Sequence, residues 1–543
     1  MSASSKKKLR KEQEAAILTE KQQKEQKEAK KLKIYSIIFV AIMLAVAITG
    51  ITVMAVKGVQ NSGVVQKNTV AATVNDHEID AILLNYYYYD TINSTYNNWV
   101  STYGEMASAY IAMMGLDVTK PLDEQIYEGD QTWADYFLEV ALDRVKADFT
   151  MYDLAMAENF QLTDEQAANV DTRISNNAFY ALYGGYSNVK DYLRAVYGSG
   201  ASEESFREYV EISNLANAYY LTFCDSVTFD DAALRAYEAD KFDNYSSFAY
   251  DSYYMTYNTY LPEGTKDENG AVTYTDEEKE AARAALQVDA DLLGQCTSTK
   301  ELDEAIPKLA INASNPSATS TKNTNLIYTS VPSAIRDWIA DEARVDGDMS
   351  VIPSYLTTNN EDGTENKELY GYYVVVFHSR NDNTDLMNNV RHLLVAFEKD
   401  EDGNVINKDE AKAEADGYLK TWTEGEATQD SFIELVKAHS DDSSASTGGL
   451  FEDIYPGSSY VSSFLNWSID ANRQEGDAEV IESQYGYHVM YYVGHSELSY
   501  RDSLITAELT EAKIDEWYHS VMENSNLVVG DTSFIEKHIT LAA

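Results

Sequence analysis

Two histidines, His392 and His488, each sit in an apolar run that reads as a β-strand, Arg391-His392-Leu393-Leu394-Val395 and Tyr485-Gly486-Tyr487-His488-Val489-Met490. Between them lie Ser440-Asp441-Asp442-Ser443-Ser444 and the pair Gly448-Gly449. Two inward-facing imidazoles with a carboxylate nearby could serve a serine nucleophile, hold a metal or support a polar pocket. The spacing of His392, His439, His488 and Asp442 follows no metal-ligand signature. No Gly-x-Ser-x-Gly elbow is present to mount a nucleophile. Histidines on buried strands are most often hydrogen-bonded core residues. The pair is therefore read as supporting a site before it is read as transferring protons.

The elements that must position these residues occur twice. Asp267-Glu268-Asn269-Gly270 resembles Asp400-Glu401-Asp402-Gly403, and Ile335-Arg336-Asp337-Trp338 parallels Phe464-Leu465-Asn466-Trp467. Gly347-Asp348-Met349 parallels Gly476-Asp477-Ala478, and Gly371-Tyr372-Tyr373-Val374 parallels Gly486-Tyr487-His488-Val489. Matches in one order at similar spacing predict two copies of a strand–helix–helix–strand module. Thr275-Asp276-Glu277-Glu278 and Asn407-Lys408-Asp409-Glu410 each open a helix with capping-box spacing. The first copy has Tyr373 where the second has His488, Ser314-Asn315-Pro316-Ser317 where the second has Ser440–Ser443, and no Gly-Gly pair.

Upstream, Val70–Val74 reads as a strand, Asn75-Asp76 as a turn and His77 as the entry to a long helical region. Thr163-Asp164-Glu165-Gln166 is a capping box, and Ser202-Glu203-Glu204-Ser205 opens a further helix. The run Tyr86–Tyr89 suits either helix packing or a surface that grips extended peptides.

The 543-residue chain has a net charge of −47, but its ends differ. Residues 1–33 carry 11 Lys/Arg against 5 Asp/Glu, and Ile34–Val56 holds no charge. That run has the length of a bilayer span, with positive charge on its cytoplasmic side. A cleaved signal peptide ending near Val53-Met54-Ala55 is the competing reading; the long apolar run and long basic lead favour an uncleaved anchor. The acidic remainder repels nucleic acid. Cys224 and Cys296 are too few and too far apart for a disulfide framework.

Residues 388–496 resemble the parvulin family of peptidyl-prolyl isomerases. The resemblance rests on the His-Leu-Leu-Val strand, Ser-Asp-Asp followed by Gly-Gly, Phe464 and Gly486-Tyr487-His488. Thr73-Val74-Asn75-Asp76-His77-Glu78-Ile79 looks like the opening of the helical chaperone domain of SurA- and PrsA-type foldases. The resemblance implies that His392 and His488 are the paired histidines of the parvulin core. Asp442 falls where the family has Cys or Asp, and Ser483 where it has a hydroxyl. Phe464 matches the aromatic of the proline pocket, and Tyr460 falls near a position usually held by Met, in a loop one residue longer. No cofactor and no metal are implied.

The expected fold class is α+β. The expected order is a cytoplasmic basic segment (1–33), a transmembrane anchor (34–56), a stem (57–69) and a helical SurA/PrsA-like chaperone domain (70–240). A degenerate parvulin-like module (241–384), a complete one (385–497) and a helical segment packing back (498–543) follow. The charge-free run makes the expected protein single-pass, and the resemblance implies an extracytoplasmic foldase, read as one at a Gram-positive surface, with unfolded or nascent secreted polypeptides as partners. The alternative is a holdase whose modules are both catalytically silent.

Overall fold

A computed structural model describes residues 62–239, 241–266, 272–359 and 365–541. Helices and strands are mixed, as α+β requires, in two compact units. One takes the described residues up to Val227 together with those from Lys513; the other is Thr228–Ala512.

In the first unit, β1 (Val70–Val74) pairs antiparallel with β2 (His77–Asp80) across a turn in which Asn75 takes φ 51°. Asn tolerates that left-handed conformation because its short amide can bond locally. The helix expected at His77 begins instead at Ala81. His77 lies in β2 with its Nε2 2.6 Å from Asp153, and the Asp80 carboxylate caps α1 (Ala81–Tyr103) by accepting from the Leu83 amide. Tyr86, Tyr87 and Tyr88 are completely buried against residues such as Trp133 and Phe137 of α2 (Trp133–Ala157). Tyr86, Tyr87 and Tyr88 are thus core and not a peptide-gripping surface, and Tyr89 is partly exposed. Both predicted starts carry capping boxes, Thr163 with Gln166 at α3 (Asp164–Tyr183) and Ser202 with Ser205 at α4 (Glu203–Ser226). The C-terminal strand Leu527–Val529 pairs with the other edge of β1.

The second unit contains two sheets with one topology. The first uses β3 (Ser247–Thr256), α5 (Asp276–Leu293), α6 (Thr299–Ala305), β4 (Thr321–Ile327), α7 (Ser333–Ala340), β5 (Met349–Asn359) and β6 (Glu365–Asn381). Its strand order is β4-β3-β6-β5, antiparallel throughout. The second uses β7 (Leu386–Ala396), α8 (Lys408–Glu424), α9 (Gln429–His439), β8 (Leu450–Ile454), α10 (Ser462–Ser468), β9 (Ala478–Glu482) and β10 (Gly486–Ser499), in the order β8-β7-β10-β9.

Strand alternation sends residues to two faces. Leu393, Val395, Tyr487, Val489 and Tyr491 pack under α8 and α9 through Ala411, Ala415, Phe432 and Val436. Val390, Met490 and Tyr492 face the other way, onto Phe464 and Trp467 of α10. His392 and His488 alternate onto this second face. The capping box predicted at Asn407 does not form. Its side-chain oxygen accepts from the Glu398 amide instead, whereas Thr275 and Glu278 do form theirs.

The expected transmembrane helix requires correction. Among the described residues no helix is long and apolar enough to cross a membrane. The segment assigned to the span, 34–56, lies outside the described residues, as do the basic segment 1–33 and most of the stem. The single-pass surface placement drawn from that span is withdrawn with it.

Candidate active site

The strand register brings the histidines together. His392 lies opposite Met490, and His488 opposite Leu394, so the two imidazoles are diagonal neighbours on one face of the β7–β10 pair. Their Nδ1 atoms are 2.9 Å apart and the rings lie nearly parallel. They are 3% and 5% exposed, so neither can exchange its hydrogen bonds for water. His488 Nε2 is 2.7 Å from the Ser483 hydroxyl, which also accepts from the Tyr485 amide.

Asp442 is brought to the pair by a stitched segment. The Ser440 hydroxyl accepts from the Leu394 amide, the Asp441 amide donates to Leu394 O, and the Ala396 amide donates to Asp441 Oδ2. This ties residues 440 and 441 along β7. Asp442 then caps the short turn Ser443–Thr447, accepting from the Ser444 amide at 2.8 Å and its hydroxyl at 2.6 Å. Its Oδ1 faces His392 Nε2 at 3.7 Å, an electrostatic contact longer than a hydrogen bond. The neighbouring His392 imidazole, with the Ser444 donors, holds the Asp442 carboxyl well below the usual carboxylate range.

These contacts select a tautomer. With Asp442 ionised, His392 carries its hydrogen on Nε2, facing the carboxylate. Its Nδ1 then accepts from His488 Nδ1–H, and His488 Nε2 accepts from the Ser483 hydroxyl. Burial, with His392 beside it, pushes the His488 imidazole down to about 4. The His488 ring is therefore neutral, and the contacts run in sequence from Ser483 through His488 and His392 to Asp442.

The glycine pair closes this arrangement. Gly449 takes φ +67°, and a Cβ there would lie 2.1 Å from the His392 carbonyl oxygen. The close approach lets Gly449 O accept from the His392 amide at 3.0 Å. Buried Arg391 secures the same turn by donating to Thr447 O and Gly448 O.

Aromatic rings stand over the imidazoles. Phe464 meets His392 edge-on at 5.4 Å and His488 at 5.9 Å. Tyr460, 37% exposed, lies 5.2 Å from Phe464. All six residues singled out in the sequence thus converge. Phe451, missed there, packs on His392 at 5.0 Å, Phe464 at 5.5 Å and Tyr460 at 5.6 Å. Its place two residues beyond the Gly-Gly pair, on the strand beside β7, was the available signal. Ser444, the donor to Asp442, was also missed. His439 is engaged elsewhere, stacked on Tyr418.

The register of the first sheet identifies the matching positions. Tyr373 opposite Tyr254 corresponds to His488 opposite Leu394, and Ser252 opposite Val375 to His392 opposite Met490. Tyr254 and Tyr373 stack at 4.1 Å, and buried Ile335 stands where the second sheet has Phe464. No imidazole pair is built there.

Residues 392–494 match the family model Rotamase, the PPIC-type PPIASE domain. The second module is a parvulin-type PPIase domain. The match begins at His392, within β7, and ends within β10, so it takes in Asp442, Phe464, Ser483 and His488. No curated protein matches the chain significantly. Among solved structures, the peptidylprolyl isomerase PrsA from Bacillus anthracis is 21% identical, covering 26% of this chain and 59% of that one with a TM-score of 0.17. PrsA from Bacillus subtilis is 21% identical, with 28% and 54% covered and a TM-score of 0.19. A structure from the work on PEB4 and Cj1289, SurA-like chaperones of Campylobacter jejuni, is 13% identical, with 43% and 77% covered and a TM-score of 0.16. The chain spans little more than half the length of the two PrsA structures that it matches.

Proposed function

We propose that this protein is a foldase: its parvulin-type PPIase domain speeds cis/trans exchange of X–Pro bonds in unfolded polypeptides, which the rest of the chain helps to hold. An X–Pro bond turns over a barrier of about 18–20 kcal/mol because planar resonance must be broken. Breaking it needs no covalent intermediate. In the planar amide the oxygen carries excess negative charge; in the twisted amide it carries less. An ionised carboxylate beside that oxygen raises the planar state relative to the twisted one and so lowers the barrier.

Asp442 is assigned this role. His392, His488 and Ser483 act as positioning residues that hold the carboxylate and the pocket floor. Phe464 and Tyr460, with Phe451, form the wall that seats the proline ring. The observation that supports the reading is the Asp442 carboxylate beside His392, itself in contact with His488, beneath an aromatic wall.

NMR exchange on a prolyl peptide tests it. Asp442→Ala should slow catalysed exchange about tenfold, or ~1.4 kcal/mol of barrier. An unchanged rate rejects the electrostatic role, and a wild-type rate equal to the uncatalysed one rejects the isomerase reading.

A further inference from the structure

In the first unit, α2 and α4 border an open groove of about 760 Å³. Phe160, Leu162, Ile212 and Leu215 give it an apolar lining, and Met156 sits at the lip, 53% exposed. Glu204, Glu208 and Glu211 line it too, spaced four and three residues apart and hence on one face of α4. Arg207 is already answered by Asp171 and Glu211, each at 3.2 Å. Glu204 and Glu208 have no ion-pair partner among the described residues. Burial, followed by nearby carboxylates including Asp80, Glu204 and Glu211, raises the Glu208 carboxyl against an opposing pull from Lys67. A second positive charge placed in this groove would relieve that crowding.

Apolar area beside unanswered carboxylates selects a particular occupant. A neutral apolar segment would leave Glu204 and Glu208 uncompensated, and an acidic one would be repelled. We infer that the groove between α2 and α4 docks cationic amphipathic segments of unfolded polypeptides, their apolar side chains on Ile212 and Leu215 and their Lys or Arg at Glu204 and Glu208. This deepens the client-holding half of the proposed function and is independent of the prolyl site.

The test is fluorescence anisotropy on the full chain with a labelled amphipathic peptide of leucines and lysines, and a twin in which glutamates replace the lysines. The lysine peptide should bind at least about tenfold tighter than its twin and weaken as salt is raised. The double variant Glu204→Gln with Glu208→Gln should lose about tenfold for the lysine peptide. Met156→Lys should lose a similar factor through like-charge repulsion. These positions are exposed, so unchanged circular dichroism is expected. Glu401→Gln with Glu426→Gln removes the same charge from exposed sites in the other unit and should keep binding. Equal binding of both peptides, or equal loss in the Glu401/Glu426 control, overturns the inference. Peptide binding by a chain that shows no prolyl exchange would sink the isomerase reading and leave this one standing.

Discussion

His392 and His488 meet through their Nδ1 atoms at 2.9 Å, so the two imidazoles share a single hydrogen between them at that contact. A second proton there would set two donors against each other. The contact persists only while one of the two facing Nδ1 atoms carries no hydrogen.

This makes the domain acid-sensitive. His488 is held at about 4 in the folded chain, below its usual 6.5. A depressed histidine contributes stability above its unfolded value, and that stability is lost as pH falls from about 6.5 toward 4, about 3 kcal/mol at most. Asp442, also depressed, adds a loss at still lower pH. Asp148, in the other unit, has the opposite sign: burial raises it to about 6, so it favours folding below its usual range. Hydrogen exchange of β7 and β10 amides should therefore accelerate between pH 6.5 and 4. His488→Asn should remove that pH dependence, and an identical profile in the variant would refute the desolvated histidine.

Ser483→Ala strips the donor from His488 Nε2 and leaves a buried acceptor unpaired. The expected cost is about 1–3 kcal/mol by urea unfolding. Ser483→Thr restores the hydroxyl and should recover most of it. Failure of Thr to rescue would mean that Ser483 matters for its size and not for its hydrogen bond.

Gly449→Ala faces both a left-handed φ and a carbonyl oxygen 2.1 Å from the new Cβ. Relief requires breaking the His392–Gly449 backbone bond. The variant should lose about 2–4 kcal/mol and unfold at a clearly lower temperature. An unchanged midpoint would show that the turn relaxes freely.

Tyr460→Ala trims an exposed part of the aromatic wall. Prolyl-peptide kcat/KM should fall about three- to tenfold, mainly through KM, with little change in stability. A change confined to kcat would place Tyr460 in the barrier-lowering machinery instead.

The second module was readable because its chemistry is local in sequence. The His392 and His488 strands alternate cleanly, and Gly448-Gly449 marks a turn no larger residue fits. Phe451 and Ser444 were not readable, because their roles depend on which strand lies beside β7 and how a short turn curls. Asn407 has the spacing of a cap, yet Glu398 competes for its side chain, a tertiary contact that spacing does not encode. His77 looked like a helix entry because the Asn75-Asp76 turn hid a second strand. The tyrosine run was ambiguous by type alone; burial decided it for Tyr86, Tyr87 and Tyr88. The Ile34–Val56 reading rested on hydropathy, and the described residues supply no span to uphold it.

Ser252 and Tyr373 occupy, on an equivalent sheet, the places filled by His392 and His488. The molecule thus carries its own blank, the same scaffold with the reactive furniture left out. Any behaviour common to the two halves belongs to the architecture, and only what separates them can be credited to the imidazoles.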